Sequence, residues 1–151
     1  MPVASLDVAS LVELRLDNKD EIFGSVESLF DFSYLKGKTI PKDNIAYVGL
    51  VSERPINSTS DSSGNSQTIE CTVGVVMGIH SRNDRTGIKG NALLQQSREL
   101  LKSTLLGWMP SDADSAFKFK SSNLVEVAKN GIWWMEQFTV TYYLYSPLQN
   151  E

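Results

Sequence analysis

From Gln67 to His80 the chain alternates. Ile69, Cys71, Val73, Val75, Met77 and Ile79 fall on one face, and Thr68, Glu70, Thr72, Gly74, Val76, Gly78 and His80 on the other. That period of two predicts a half-buried strand. The period then changes. From Ile88 to about Leu106, Leu93, Leu94, Ser97, Leu100, Leu101, Thr104, Leu105 and Trp108 gather on one side of a helical wheel, opposite Lys89, Gln95, Glu99 and Lys102. A long helix lying on a sheet is expected, with Gly107 as its C-terminal cap and Pro110 preventing continuation.

A second alternation closes the chain. Asn130-Gly131 separates two such runs and predicts a tight hairpin pairing Leu124–Lys129 with Ile132–Gln137, so that Val127 faces Trp134 and Ala128 faces Trp133. Phe117 and Phe119 suggest one more short strand upstream. In the run Gly131–Leu144 (GIWWMEQFTVTYYL), Ile132, Trp134, Phe138, Val140, Tyr142 and Leu144 share a face that must meet the core, interrupted by Glu136. The opposite face, with Trp133, Met135, Gln137, Thr139, Thr141, Tyr143 and Tyr145, is neither core-like nor fully polar. Fourteen extended residues span roughly 45 Å. Part of this strand is expected to overhang as an edge open to pairing.

The first half is less regular. Leu6, Ala9, Leu11, Val12, Leu14 and Leu16 predict a helix over Ser5–Leu16 with Ser5 as N-cap and Asp7 in its first turn. Ile22–Leu35 reads as a short strand to Val26 followed by about two helical turns, and Asn44–Glu53 as a strand bounded by Pro41 and Pro55. The stretch Arg54–Ser66 (RPINSTSDSSGNS) has little to bury and predicts a flexible loop. The elements so read are helices and strands that end in a C-terminal β-hairpin. A length of 151 residues suits a single domain over 1–151.

Charge narrows the functional classes. The net charge is −4, with 11 acidic and 6 basic side chains in residues 1–70 against 7 and 8 in residues 71–151. Such a chain lacks the clustered cations that grip phosphates or stack single-stranded bases. No apolar run approaches the roughly 20 residues that span a bilayer, and no basic segment precedes the first apolar positions, so a cytosolic product without a membrane partner is expected. The Asn57-Ser58-Thr59 sequon then has no consequence.

Catalytic constellations are equally sparse. Cys71 and His80, the lone cysteine and histidine, point to opposite faces of one strand, and Cys71 reads as core. No cluster suits zinc, and neither a metal nor a cofactor is expected. Gly37-Lys38-Thr39 lacks the upstream glycine of a phosphate-binding loop, its place being taken by Phe32. Asp112 and Asp114 sit in a polar turn where solvated carboxylates are the default, and no Gly-x-Ser-x-Gly elbow exists. The expectation is a protein that is not an enzyme.

Three features, in this order, carry a resemblance: the strand TIECTVGVVMGIHSRNDRTG with Arg82-Asn83-Asp84-Arg85 at its end, the helix end Leu105-Leu106-Gly107-Trp108-Met109-Pro110, and the hairpin from Trp133-Trp134 through Tyr142. Over roughly Thr68–Tyr145 the chain resembles the tail terminator proteins of long-tailed phages, of the Mu-like contractile type. The resemblance implies an α+β fold, a mixed or antiparallel sheet packed by a long helix and shorter helices with a C-terminal β-hairpin, and a homohexameric ring at the head-proximal end of the virion tail, assembled in the bacterial cytoplasm. Such a ring ends polymerisation of the tail tube, meets the tube protein, the sheath protein if the tail contracts, and the head-completion or connector protein, and lets DNA through its lumen without specific binding. On that picture Trp108, Trp134, Phe138 and Val140 anchor the core. Arg82, Asp84, Arg85, Thr139, Thr141 and Tyr143 meet a neighbouring subunit or the tube, and Arg54, Asn57, Asp61 and Asn65 lie on a partner-contacting loop. Two alternatives stay open: another neck or tail-completion component, and a monomeric small-ligand module with Trp108 and Trp133 lining a pocket.

Overall fold

The computed structural model describes residues 4–17, 23–41, 44–81 and 88–149. Helix α1 (Val8–Asp17) is followed by β1 (Ser25–Ser28), a 3-10 turn at Phe32–Leu35, β2 (Ile45–Ser60), β3 (Gly64–His80), α2 (Ile88–Leu105), β4 (Lys118–Ala128) and β5 (Gly131–Pro147). The strands form one sheet in the order β1-β2-β3-β5-β4, with β1 parallel to β2 and the other neighbours antiparallel. The fold is α+β, with a mixed sheet. No helix among the described residues is long and apolar enough to cross a membrane.

Both helices pack on one face of the sheet. Val8, Val12 and Leu16 of α1 and Leu101 and Leu105 of α2 meet Cys71, Val73, Val75, Met77 and Ile79 of β3 and Phe138, Val140 and Tyr142 of β5. Alternation along β3 and β5 thus supplies this core as read from the sequence. On α2, Ser97, Leu101 and Leu105 are buried and Leu93, Leu94 and Trp108 pack against the same core, whereas Leu100 turns outward. Gly107 follows the helix with φ +81°. Trp108 stacks on Phe117 at 5.2 Å, and the Arg15 guanidinium lies 4.4 Å from its ring while its Nε donates to the Thr104 carbonyl at 2.8 Å, tying α1 to α2.

The other face is covered too, and this corrects the reading of Trp133. Leu35, Ile40, Ile45, Val76 and Trp133 form a second core beneath the connection from β1 to β2. Trp133 is 1% exposed, its Nε1–H donates to the Lys38 carbonyl at 3.1 Å, and Tyr47 tilts against its ring. It is a larger anchor than Trp134, which is only half-buried. Trp108 and Trp133 therefore lie on opposite faces of the sheet and cannot line one pocket.

Several elements differ from expectation for identifiable reasons. Asp7, not Ser5, caps α1, because its carboxylate accepts from the Ser10 N–H and hydroxyl. The helical turns expected before Leu35 reduce to one 3-10 turn, capped by Asp31 through the Ser33 N–H at 2.9 Å. Phe119 belongs to β4 itself, a strand of 11 residues with two register shifts. The hairpin also closes in another register, with Ala128 opposite Gly131 and Val127 opposite Ile132, so that Lys129-Asn130 form the turn. The Asn130 carboxamide explains the choice. Its Oδ1 accepts from the Ile40 N–H at 2.8 Å and its Nδ2 donates to the Ile40 carbonyl at 2.7 Å. Gly131, at φ +152°, lies so close to the Ile79 carbonyl that a Cβ would collide with it.

Candidate assembly interface

The largest correction concerns Arg54–Ser66. Most of this stretch is not a loop: β2 runs through Pro55 to Ser60 and β3 begins at Gly64. Together with the end of β5 they make a three-stranded arm that continues the sheet beyond its helices. Asn57 pairs with Thr68 and Thr68 with Tyr143, while Thr59 pairs with Ser66 and Ser66 with Tyr145. What holds the arm is the backbone ladder rather than apolar burial, since β2 is exposed from Leu50 onward.

Its tip is well specified. The Asp61 carboxylate accepts from the Ser63 N–H at 2.8 Å, the Ser63 hydroxyl and the Gly64 N–H at 3.2 Å. These bonds hold its pKa below the ordinary carboxylate value, the Ser63 hydroxyl contributing most. The Ser63 carbonyl accepts from the Leu148 N–H at 3.1 Å and the Tyr145 hydroxyl at 3.2 Å, which pins the tip to the end of β5.

The residues singled out on β5 divide by position. Phe138 and Val140 are fully buried. Thr139 stands between Thr72 of β3 and Lys118 of β4, so its strand is interior there, not an edge. Thr141 lies beyond β4, yet its N–H donates to the Ser115 hydroxyl at 3.0 Å and its carbonyl accepts from the Asp114 N–H at 2.7 Å. Tyr143 and Tyr145, 67% and 51% exposed, follow on the face away from the helices. Of the residues placed on the expected loop, Arg54 pairs with Glu70 at 3.3 Å, Asn57 and Asn65 are exposed on the arm, and Asp61 makes its turn. Arg82, Asp84 and Arg85 lie outside the described residues.

Sequence reasoning missed one constellation. Glu136, fully buried on the helix-facing side of β5, makes an ion pair with Arg98 and lies 3.9 Å from the Lys102 ammonium, both on α2. Arg98 also donates to the Ser122 hydroxyl at 3.3 Å and sits 5.3 Å from the Trp134 ring. The available signal was a lone acid interrupting an apolar face together with two cations at i and i+4 on the helix. Cys71 is buried in the core, where desolvation, followed by the neighbouring Glu53, pushes its thiol up to about 12.

The described residues thus present open strand edges and exposed tyrosines, while the cysteine is sequestered in the core. The chain belongs to the phage tail terminator family, whose model matches residues 1–148. It is accordingly a structural protein of a virion tail and engages other tail proteins. A chain in a solved virion of a native gene transfer agent particle is 14% identical, the match covering 91% of this chain and 92% of that one at a TM-score of 0.41. At that distance the likeness carries no functional weight. No curated protein matches the sequence.

Proposed function

We propose that this protein is the subunit of a homohexameric ring that seats on the head-proximal end of a tail tube, ends its polymerisation and presents a docking face to the head-completion or connector protein. The observation that carries this reading is the family match over 1–148. The sheet adds support: its exposed tyrosines and unpaired edges favour association with like or related strands. Thr139, Thr141 and Tyr143, with Arg82, Asp84 and Arg85, are proposed to lie near the subunit or tube boundary. The outer part of the arm, including Arg54, Asn57, Asp61 and Asn65, is proposed to reach the tube, the connector or, in a contractile tail, the sheath. A net charge of −4 suits a lumen that lets DNA slide without gripping it. The ring is proposed to act by contact and not by catalysis, within particles assembled in the host cytoplasm.

Native mass spectrometry and electron microscopy of particles test this directly. A ring weighs roughly 100 kDa, six copies of 16.8 kDa. Particles lacking the protein are expected to carry tubes of uncontrolled length that fail to join heads. Normal tail lengths in its absence, or label away from the head-proximal end, refute the reading.

A further inference from the structure

The edges of the sheet are unequally defended against pairing. Strand β1 has only four residues. The outer edge of β2 between Leu50 and Asn57 carries two register shifts, Glu53, Arg54 and Pro55. Strand β4 carries two register shifts with Lys118, Lys120 and Glu126. Short length, bulges, charge and proline are the devices by which edges avoid unwanted partners.

On the arm charge, proline and bulges are missing. From Asn57 to Ser60 and from Tyr142 to Ser146 there is no charge, no proline and no shift of register. The two stretches flank the same segment of β3 and stand at the same height, in the rows Asn57–Thr68–Tyr143 and Thr59–Ser66–Tyr145. Backbone direction follows from parity. Both polar groups of Thr141 point away from β3, toward Ser115 and Asp114, so those of Tyr143 and Tyr145 point the same way. No strand among the described residues pairs with them there. On the far side the register turns Ser58 and Ser60 outward by the same alternation.

We infer that the arms of neighbouring copies pair edge to edge, the Tyr142–Ser146 edge of one copy adding in parallel to the Asn57–Ser60 edge of the next. The occupant is a second copy because the two open edges belong to one arm, stand at the same height and are both uncharged. Both strands run antiparallel to β3, so the junction is parallel and head-to-tail. A head-to-tail contact repeats, and it closes into a ring with three strands from each copy. The tyrosines then form a row on the face away from the helices. This inference rests on the ring proposed above and names the joint within it.

Paired cysteines distinguish the two. Thr59 and Tyr145 lie two strands apart in one copy, about 9.5 Å, beyond the roughly 7 Å that a disulfide bridges. The buried Cys71 gives no background. Thr59→Cys combined with Tyr145→Cys, or with Tyr143→Cys should the neighbouring arm stand one row lower, is oxidised in purified protein and in assembled tails. The expected result is a ladder of covalent multimers ending at the ring's copy number, with none from Thr59→Cys alone. Ser60→Pro, which removes an outward N–H, is expected to abolish the ladder while the circular dichroism spectrum is retained. A ring by native mass spectrometry without a ladder from either pair overturns the joint and leaves the ring standing. Monomers in solution and no ring on tails overturn the ring, and the joint with it. Dimers from Tyr145→Cys alone indicate two-fold pairing of like edges and also overturn the proposal.

Discussion

Removing Arg98 exposes how α2 is held to the sheet. The Glu136 carboxylate is 0% exposed, and its partners are Arg98 and Lys102, whose side chains are 22% and 29% exposed. In Arg98→Ala the carboxylate stays buried with one ammonium at 3.9 Å, too long for a good hydrogen bond. Breaking a buried ion pair from one side costs about 3–5 kcal/mol. For a chain of this length that lowers Tm by about 6–20 °C. Glu136→Met is expected to cost less, since the cationic heads left behind are close enough to solvent to turn toward it. Arg98→Leu together with Glu136→Met removes both charges and is expected to fall within about 1 kcal/mol of Glu136→Met alone, because apolar replacement of a whole buried pair is often neutral. Urea denaturation of the wild type, Arg98→Leu, Glu136→Met and the double variant closes a double-mutant cycle, with Arg98→Ala measured beside it. An Arg98→Ala protein within about 1 kcal/mol of wild type, or strictly additive single substitutions, refutes the reasoning.

Two further outcomes follow from individual groups. With its thiol pushed up to about 12 in the core, Cys71 is expected to resist alkylation at pH 8 in the native protein and to label fully in urea, as read by mass shift; rapid native labelling contradicts the packing. Asp61 has a depressed pKa, so its support of the arm's tip is complete above the unfolded value of 3.8 and is lost as pH falls through the lower folded value. Hydrogen exchange at the Ser63 and Gly64 amides, corrected for intrinsic rates, is expected to lose protection below pH 3.8 in the wild type and at every pH in Asp61→Ala.

The parts of this fold legible in the sequence are those where side-chain burial imposes a period. Ile69 through Ile79 and Phe138 through Tyr142 sit where alternation placed them, and Leu101 and Leu105 of α2 meet them. Legibility failed where another force chose the structure. Ser58 and Ser66 bury no apolar surface, so no pattern announced a strand; the ladder to β3 and β5 makes one nonetheless. Asn130 spends its side chain on Ile40, 90 residues away, and local turn preference gave way to that long-range pair. Trp133 fell on a face that read as neither core-like nor fully polar, because the segment around Leu35 and Ile40 that covers it lies far away in sequence. The candidate site divides likewise: Tyr143 was found as an exposed aromatic on an overlong strand, whereas the opposing edge at Asn57–Ser60 was taken for loop.

The same division bears on assembly. In the body of the sheet, side chains on both faces fix the register of β3 against β5, since a slip of one residue would turn Val73 and Phe138 out of one core and Trp133 out of the other. Between β3 and β5 the arm inherits that register at no cost in apolar surface, because both strands continue unshifted from the body, and β2 joins them after two register shifts. A polar ribbon with open edges can therefore be held in one geometry without a core of its own. Residues that would specify a joint between copies are thus free to be uncharged, as those of Asn57–Ser60 and Tyr142–Ser146 are, which leaves the backbones open to pairing. On the pairing proposed above, such an edge acquires its affinity only when a neighbour presents a matching edge at the same height.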